Sequence, residues 1–367
     1  MSVIISLLGF FVLLGILVIA HELGHFLTGR FFRIPVEEFG IGFPPLAKVL
    51  GTRNGVKYTL NWLPIGGFVK FSSGNGDNAN YGIGSLREAP IYQRILVLVA
   101  GPLMNILVAA VLYTGIALSV GIPVYDPGLV VSQVFPDSPA ARAGLLTDDI
   151  VLSIGDSGTI TRDVPIGPVA ERNVGKEIPM VVQRNGTEQT LTIIPGPWTY
   201  KDSSSPAGFG FGYASNSHIE EATLPSAVIH GVKTTYFVAT SMINGLFTWF
   251  GSLLGLAPAV DNAGMPGIVG MARGTGEIIE RDGWLGYFNW MAIISLNLAV
   301  FNLLPIPALD GSHILFAIVE FIRRKRIPLE YESRVHLAGF ALLMILMVVV
   351  TVSDVQGWVS GTSVFGN

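Results

Sequence analysis

The sequence contains no cysteine and unusually few charged residues. Without cysteine the chain has no disulfide framework and no thiolate metal site, and its redox compartment leaves no trace in the sequence. Charged residues make up 13% of the 367 residues, about half the usual fraction for a soluble domain. Half of the residues are hydrophobic, and the mean hydropathy is +0.56. These values predict a polytopic membrane protein, and the net charge of −4 argues against a nucleic-acid binder.

Four apolar segments are long enough to cross a bilayer. They cover residues 3–28, 94–120, about 286–320 and 334–353. The first segment has a cleaved signal peptide as its alternative, but it lacks both a basic start and a small-residue cleavage site. The third segment is interrupted by the stretch NLLPIPALDGSH. We therefore predict about four transmembrane helices, the third of them broken.

The region between the first two spans, residues 30–93, is basic and alternates in polarity. Its stretch KYTLNWLPIGGFVKF has the two-residue period of strands, and Gly66 and Gly67 mark a bend or bulge. This β element and its loop, together with the two flanking spans, form the first half of a membrane core, residues 1–121.

Residues 122–214 are not membrane-like and predict an inserted α+β domain. Within it, PMVVQRNGTEQTLTIIP predicts a hairpin with a type I′ turn at Asn185-Gly186. Residues 215–285 form a connector, in which 226–256 repeats apolar residues at helical spacing. The polar residues on its other side favour an amphipathic helix on the membrane surface over a fifth span. Residues 286–367 form the second half of the membrane core.

Basic residues predict the orientation of the chain. They follow the first span and the third, where Arg323–Arg326 form a cluster. The positive-inside rule places both regions in the cytoplasm. Four crossings then leave both termini and the 122–214 domain outside, whereas a fifth crossing would bring Arg323–Arg326 outside. The end of the first span and the break in the third fall at the same depth, near the cytoplasmic side.

The first span ends in the motif HELGH, residues 21–25. Residues four apart share a helix face, so His21 and His25 can each offer an imidazole nitrogen to one metal ion. Zinc lowers the pKa of a bound water to about 7, and Glu22 is suited to take its proton as general base. A pair of histidines hydrogen-bonded between helices is the alternative, but ionisable residues in lipid are costly without a function. The motif therefore predicts a hydrolytic zinc centre.

A catalytic zinc also needs a third protein ligand. Glu37 and Glu38 follow the motif, but they fall in a predicted loop. Asp310 lies at the break of the third span, at the depth of the histidines. His313 is a rival that can share a helix face with Asp310, and its alternative role is a hydrogen bond within the helix bundle. We favour Asp310.

Pro305 and Pro307 prevent a regular helix in the break of the third span. Non-helical backbone at membrane depth is tolerated only where it lines a cavity or is buried in protein. A peptide substrate needs such a pocket, and Asn302 in the same stretch can offer its side-chain amide to a substrate backbone. A contact between helices is the alternative role of Asn302.

These motifs resemble those of the site-2 proteases, the regulated intramembrane zinc metalloproteases, in the bacterial branch that controls sigma factors. HELGHF is similar to the first family motif and NLLPIPALDG to the second, while FGIGFPP, LPIGGFVK, AGPLMN and GIVGMARGTGEI resemble lesser blocks. The resemblance covers nearly the whole chain. It implies one Zn2+ per chain held by His21, His25 and Asp310. It also implies Glu22 as the catalytic base and Asn302 in substrate handling.

The resemblance further implies how a substrate is handled. The strand residues Ile65, Gly66, Gly67, Phe68 and Val69 resemble a membrane-reentrant β element that pairs with an unwinding substrate. Residues 122–214 resemble a PDZ domain, with SPAARAGL as the best local match. The implied substrates are single-span membrane proteins such as anti-sigma factors, cut first by a site-1-type protease.

The implied location is the bacterial cytoplasmic membrane, with lipid as a further partner and the PDZ domain outside. The active site then lies toward the cytoplasmic side. One departure from the family is visible: it usually has two glycines after the aspartate, and here the second is Ser312. A Cβ and a hydroxyl at that position predict slightly different packing near the metal.

Three other classes of protein remain open at the level of the sequence. A non-catalytic membrane scaffold with a PDZ domain would not need metal ligands. A transporter also uses broken helices with polar residues at mid-membrane, but it predicts inverted repeats that the sequence does not show. A membrane-anchored zinc protease of the soluble type needs its active helix outside lipid, contrary to the apolar run before His21.

Overall fold

The computed structural model describes residues 3–72, 84–162, 164–200, 203–253, 255–256 and 267–359. The chain divides into two compact units. The first, here called the membrane unit, comprises Met1–Ser119 and Thr223–Asn367, and the second, the inserted unit, comprises Val120–Ala222.

Long helices dominate the membrane unit. Numbered along the whole chain, the described helices of this unit are α1 (Val3–Phe31), the short α2 (Gly84–Glu88), α3 (Ile91–Val120), α6 (Leu224–Leu253), α7 (Ile268–Leu303), α8 (Asp310–Arg323) and α9 (Leu329–Val359). Among the described residues, α1, α3, α7 and α9 are the 4 helices long and apolar enough to cross a membrane. This number of candidate spans agrees with the prediction of about four. The third apolar helix ends at Leu303, and the residues beyond the break form the separate helix α8.

Helices α1 and α7 pack against each other along their length. Leu13 and Leu17 of α1 are completely buried against Tyr287 and Met291 of α7. The hydroxyl of Tyr287 also donates a hydrogen bond of 2.8 Å to the backbone oxygen of Gly9. Because the residues of α1 on this side are buried, the helix that carries the HELGH motif is held firmly by the second half of the chain.

The beginning of α7 is capped by a side chain from α9. The two carboxylate oxygens of Asp354 accept hydrogen bonds from the backbone nitrogens of Gly267 and Gly270, at 3.2 and 2.8 Å. The first turn of a helix has unpaired N–H groups, so a carboxylate at that end is stabilising. Further along, α7 bends at Gly283, whose φ of 65° is readily adopted by glycine.

Helix α6 approaches α3 closely near its start. Near its start, Gly231 leaves no room for a side chain, because a Cβ there would lie 2.8 Å from the backbone oxygen of Ala110. Further along, Met242 packs against a buried cluster that contains Ala109 of α3 and Ala292 of α7. Although α6 has 30 residues, it is not one of the four apolar helices of the described chain. Its predicted position on the membrane surface stays a prediction.

The two strands of the membrane unit form a strongly irregular hairpin. β1 (Val36–Arg53) pairs antiparallel with β2 (Val56–Phe71), and the register shifts so often that residues 38–41 contact both 57–60 and 67–70. The predicted bend is present, since Gly66 has a φ of 99°. Most of the predicted polar loop, residues 73–83, lies outside the described residues.

The inserted unit contains a five-stranded sheet in the order β6-β5-β4-β3-β9. Its strands are β3 (Ile122–Val134), β4 (Ile150–Ile154), β5 (Ile178–Arg184), β6 (Thr187–Ile193) and β9 (Phe211–Glu220). The short helices α4 (Pro139–Arg142) and α5 (Gly167–Arg172) and the separate pair β7 (Gly196–Tyr200) and β8 (Ser203–Gly208) complete it.

The turn between β5 and β6 and the end of the inserted unit follow from its local structure. Asn185 and Gly186 join β5 to β6 with φ values of 51° and 78°, which are the positive values that a type I′ turn requires. The unit ends at Ala222 rather than at residue 214. This difference arises because β9 continues to Glu220, where it pairs with Ile122.

Candidate metal centre

The structure brings His21, His25 and Asp310 together. The Oδ2 atom of Asp310 lies 3.0 Å from His21 Nε2 and 3.3 Å from His25 Nε2. The two Nε2 atoms are 3.2 Å apart. The histidines are 8% and 7% exposed. Ligand atoms separated by 289 residues of sequence thus converge on one point within a buried site.

These three atoms fit a zinc ion. With bonds of about 2.0–2.2 Å, the ligands of a tetrahedral zinc lie roughly 3.3 Å from one another. The three observed separations of 3.0, 3.2 and 3.3 Å agree with that spacing. Two imidazoles and one carboxylate leave a fourth position for water or substrate, which is the donor set of a catalytic rather than a structural zinc site.

Helix α3 packs directly behind the two imidazoles, and its face of Val97, Gly101 and Asn105 is here called the wall. Nδ1 of His25 donates to the backbone oxygen of Val97 at 2.8 Å, and this bond leaves its Nε2 free for a metal. A Cβ at Gly101 would lie 2.8 Å from His21 Nε2, so only glycine fits beneath the rings. A Cβ at Gly24 of α1 would collide with the backbone oxygen of Ala100. The close approach of α1 and α3 therefore depends on glycine on both helices.

Glu22 lies on the other side of the motif, beside the bend of β2. The position of a Cβ on Gly67 would be 3.2 Å from Glu22 Cγ, and the backbone of Val69 lies near the Glu22 carboxylate. Glu22 is partly exposed, unlike its two histidine neighbours. Its carboxylate therefore lies between the histidine pair and the Gly67–Val69 segment, two of the features that the sequence predicted to act together.

The backbone at the break positions Asp310 as the first residue of α8. Ala308 has a φ of 75°, and a Cβ at Gly311 would lie 2.5 Å from the backbone oxygen of Leu303. The first turn of α8 can therefore pack onto the last turn of α7 only because residue 311 is glycine. Ser312 is buried, and its hydroxyl donates to the backbone oxygen of Leu309 at 2.7 Å. The hydroxyl that this departure from the family pattern introduces is therefore hydrogen-bonded within its own turn.

The alternative ligands lie elsewhere. Glu37 forms an ion pair of 3.0 Å with Lys70, and Glu38 accepts a hydrogen bond of 2.6 Å from the Thr59 hydroxyl. The structure therefore does not bring these two carboxylates to the histidine pair.

His313 faces α9 instead of the histidine pair. Its Nδ1 atom lies 3.2 Å from Glu332 Oε1, and its ring stacks on that of His336, with ring centroids 4.1 Å apart. Nδ1 of His336 accepts a hydrogen bond of 3.0 Å from the backbone nitrogen of Ala308. These contacts join the break to α9, which matches the alternative role that the sequence left open for His313.

The predicted substrate-binding residues occupy two places. Asn302 is half-buried in the last turn of α7, and its side chain forms no hydrogen bond within the described part of the chain. Gly66, Gly67, Phe68 and Val69 lie in β2. Ile65 lies in the same strand, and its side chain is outside the description.

A buried ion pair joins α3 to α8. Arg94 Nη1 lies 2.5 Å from Glu320 Oε2, and the two side chains are 6% and 3% exposed. The other carboxylate oxygen of Glu320 accepts a hydrogen bond of 2.9 Å from the backbone nitrogen of Ile327. The pair connects the helix behind the histidines to the helix that carries Asp310.

The sequence analysis missed the contributions of Val97, Gly101 and Asn105. The last two lie within the stretch AGPLMN, residues 100–105, whose signal was only its likeness to a family block. A backbone oxygen such as that of Val97 has no residue-specific signature. Without the structure, nothing showed that this face of α3 touches the histidines.

A centre with these ligands, on apolar helices, defines a membrane-bound metal-dependent hydrolase. Comparison with known proteins gives the family: the chain matches Peptidase family M50 over residues 9–346. The chain belongs to this family, the site-2 proteases, and is a zinc metalloprotease and a multi-pass membrane protein.

Named relatives agree with this assignment. The zinc metalloprotease RasP of Oceanobacillus iheyensis is 27% identical, over 96% of this chain and 99% of the relative. RasP of Geobacillus kaustophilus is 28% identical, over 96% and 98%. The chloroplastic membrane metalloprotease ARASP of Arabidopsis thaliana is 29% identical, over 95% of this chain and 78% of the relative.

Proposed function

We propose that this chain cleaves peptide bonds within transmembrane segments, with His21, His25 and Asp310 as zinc ligands and Glu22 as general base. The observation that carries the proposal is the convergence of the three ligand atoms at 3.0 to 3.3 Å on helices long and apolar enough for a bilayer. Zinc at this point would polarise the scissile carbonyl and acidify water. Glu22 takes the proton from the attacking water and passes it to the leaving amine.

The substrate strand binds at the edge of β2. A transmembrane helix hides its carbonyls in internal hydrogen bonds, so it must unwind before it can be cut. The Gly67–Val69 segment lies beside Glu22, and an extended peptide that adds to this strand passes the proton acceptor. The side chain of Asn302, which forms no hydrogen bond to any of the described residues, supplies a further amide for the substrate backbone. This role makes residues 65–69 the membrane-reentrant β element.

The inserted unit acts as an extracytoplasmic PDZ domain that filters substrates by size. Its five-stranded sheet and two short helices are compatible with the predicted PDZ-like segment. Substrates are single-span proteins of the anti-sigma-factor kind, admitted after a site-1-type protease has removed their outer part. The enzyme lies in the bacterial cytoplasmic membrane, with the basic residues 323–326 and the active site toward the cytoplasm.

The test compares three variants on a panel of tagged single-span proteins in proteoliposomes. We expect Glu22→Gln to retain zinc and leave the substrates uncut, because only the proton acceptor is lost. Asp310→Ala should lose zinc and activity together. Glu37→Gln is the matched control, since Glu37 pairs with Lys70 outside the centre and its loss should leave cleavage unchanged. Cleavage by Glu22→Gln at the wild-type rate would refute the assigned base.

The same experiment addresses the scaffold alternative. A scaffold would bind its partners equally well in the wild type, Glu22→Gln and Asp310→Ala. Binding of a single-span protein that is neither cut by the wild type nor affected by either substitution would therefore favour the scaffold. The close convergence of three ligand atoms favours the enzyme, because burying a carboxylate and two imidazoles together is costly without a bound cation.

A further inference from the structure

One face of α3 contacts both histidines through residues spaced four apart. Val97 accepts from His25, Gly101 lies beneath both rings, and Asn105 is completely buried beside His21. The Nδ2 atom of Asn105 lies 3.4 Å from His21 Nδ1. Its Oδ1 atom is buried and has no hydrogen-bond partner among the described residues. An unpaired buried oxygen is costly, so this amide needs an explanation.

The donor pattern of a zinc-bound histidine supplies that explanation. When Nε2 gives its lone pair to a metal, Nδ1 carries the proton and needs an acceptor. His25 has one, the Val97 oxygen at 2.8 Å. His21 has Asn105 at the corresponding place, but there the amide presents its N–H group, which suits a ring with its proton on Nε2. Rotation of the amide by 180° exchanges oxygen and nitrogen within nearly the same volume.

We propose that Asn105 is the positioning residue of His21: with zinc bound, its amide oxygen accepts the Nδ1–H proton and holds the ring with Nε2 toward the ion. The inference rests on the proposed zinc centre. It gives each histidine its own acceptor on α3, a backbone oxygen for His25 and a side chain for His21. Such partners fix the orientation of the ring and raise the basicity of the ligand.

The test measures zinc affinity by competition with a chromogenic chelator in detergent. We expect Asn105→Leu, which keeps the volume and removes the acceptor, to weaken zinc binding about 10- to 100-fold. Asn105→Asp keeps an acceptor and should stay within about threefold of the wild type. If Asn105 only fills space, the order reverses, because leucine suits an apolar contact and a buried carboxylate does not.

The matched control is Ser295→Ala. The Ser295 hydroxyl donates to the backbone oxygen of Asn105 at 2.8 Å, so this variant disturbs the same helix contact without touching the amide. It should bind zinc like the wild type. In the cobalt-substituted protein, the visible d–d spectrum should shift for Asn105→Leu and stay unchanged for Ser295→Ala. If Asn105→Asp does not fold, the comparison of Asn105→Leu with Ser295→Ala decides the question.

Two results would overturn the inference. One is wild-type zinc affinity in Asn105→Leu, and the other is equal weakening in Ser295→Ala and Asn105→Leu. Melting temperatures of the metal-free variants separate a loss of affinity from a loss of fold. The proposed function fails separately, if the wild type holds no zinc or if Glu22→Gln still cuts. Full zinc in Asn105→Leu beside an inactive Glu22→Gln overturns only the role of Asn105.

Discussion

Replacement of Gly101 by alanine is expected to displace the zinc ligands. The added Cβ would collide with His25 Nε2 and would lie 2.5 Å from His25 Cε1 and 2.8 Å from His21 Nε2, whereas ordinary contact begins at 3.4 Å. The rings must therefore retreat by about 0.6 Å for His21 and about 1 Å for His25, which exceeds the tolerance of about 0.2 Å in zinc–ligand distances. His25 cannot move freely, because its Nδ1 is bound to the Val97 oxygen at 2.8 Å.

We expect Gly101→Ala to lose most of its zinc and to cut about 100-fold more slowly, the effect of a 1 Å misplacement at a reacting centre. Overpacking of the helix contact should also cost about 1–3 kcal/mol in stability. Elemental analysis of the purified protein measures the zinc, and cleavage of a tagged single-span substrate measures the rate.

Gly115→Ala is the matched control for this prediction. Gly115 lies on the same helix, and in the described part of the chain a Cβ there meets no atom within 4 Å. This variant should keep zinc and activity, and its helix should gain up to about 1 kcal/mol because alanine is the better helix former. Full zinc and normal cleavage in Gly101→Ala would show that the wall behind the histidines is not rigid, and would refute the reasoning.

Two further predictions concern charged pairs. Glu320→Leu should lower the free energy of unfolding by about 3–5 kcal/mol, because it leaves Arg94 buried without its partner. The double variant Arg94→Met with Glu320→Leu should recover much of this loss, which a thermal unfolding assay can measure. In the inserted unit, burial opposes ionisation of Asp149, but hydrogen bonds from Arg184 and the Leu146 backbone outweigh it and hold the pKa of Asp149 below its usual value. A lowered pKa stabilises the fold above the unfolded value of about 3.9 and loses that effect as the pH falls through the folded value. Hydrogen exchange of β5, normalised to intrinsic rates, should therefore lose protection below about pH 4. Asp149→Asn should be less protected at pH 7, with the difference from the wild type vanishing at low pH; an equal difference at both pH values would contradict the assignment.

The convergence of His21, His25 and Asp310 could be predicted from the sequence because two strong patterns contain these residues. Spacing of four residues on an apolar helix places His21 and His25 on one face. The loop charges then gave the depth of Asp310 independently of any likeness to a family. The energetic cost of an ionisable group in lipid also supported the prediction, since such a group usually has a function. The fold as a whole was harder, because the end of the inserted unit depends on pairing between Ile122 and Glu220, about 100 residues apart.

The wall formed by α3 could not be predicted, for a physical reason. Its face is built from a backbone oxygen, a missing side chain and one amide, at Val97, Gly101 and Asn105. In an apolar helix such residues produce no periodic signal, because glycine suits close packing between any two membrane helices. These residues reach the histidines only because α1 crosses α3 closely. That close crossing requires glycine at position 24, which lies against the backbone of Ala100. Two of the three proposed ligands therefore lie in one short motif, whereas the precision of their placement depends on a helix about 80 residues away. A change that leaves HELGH intact can for this reason still abolish the zinc centre.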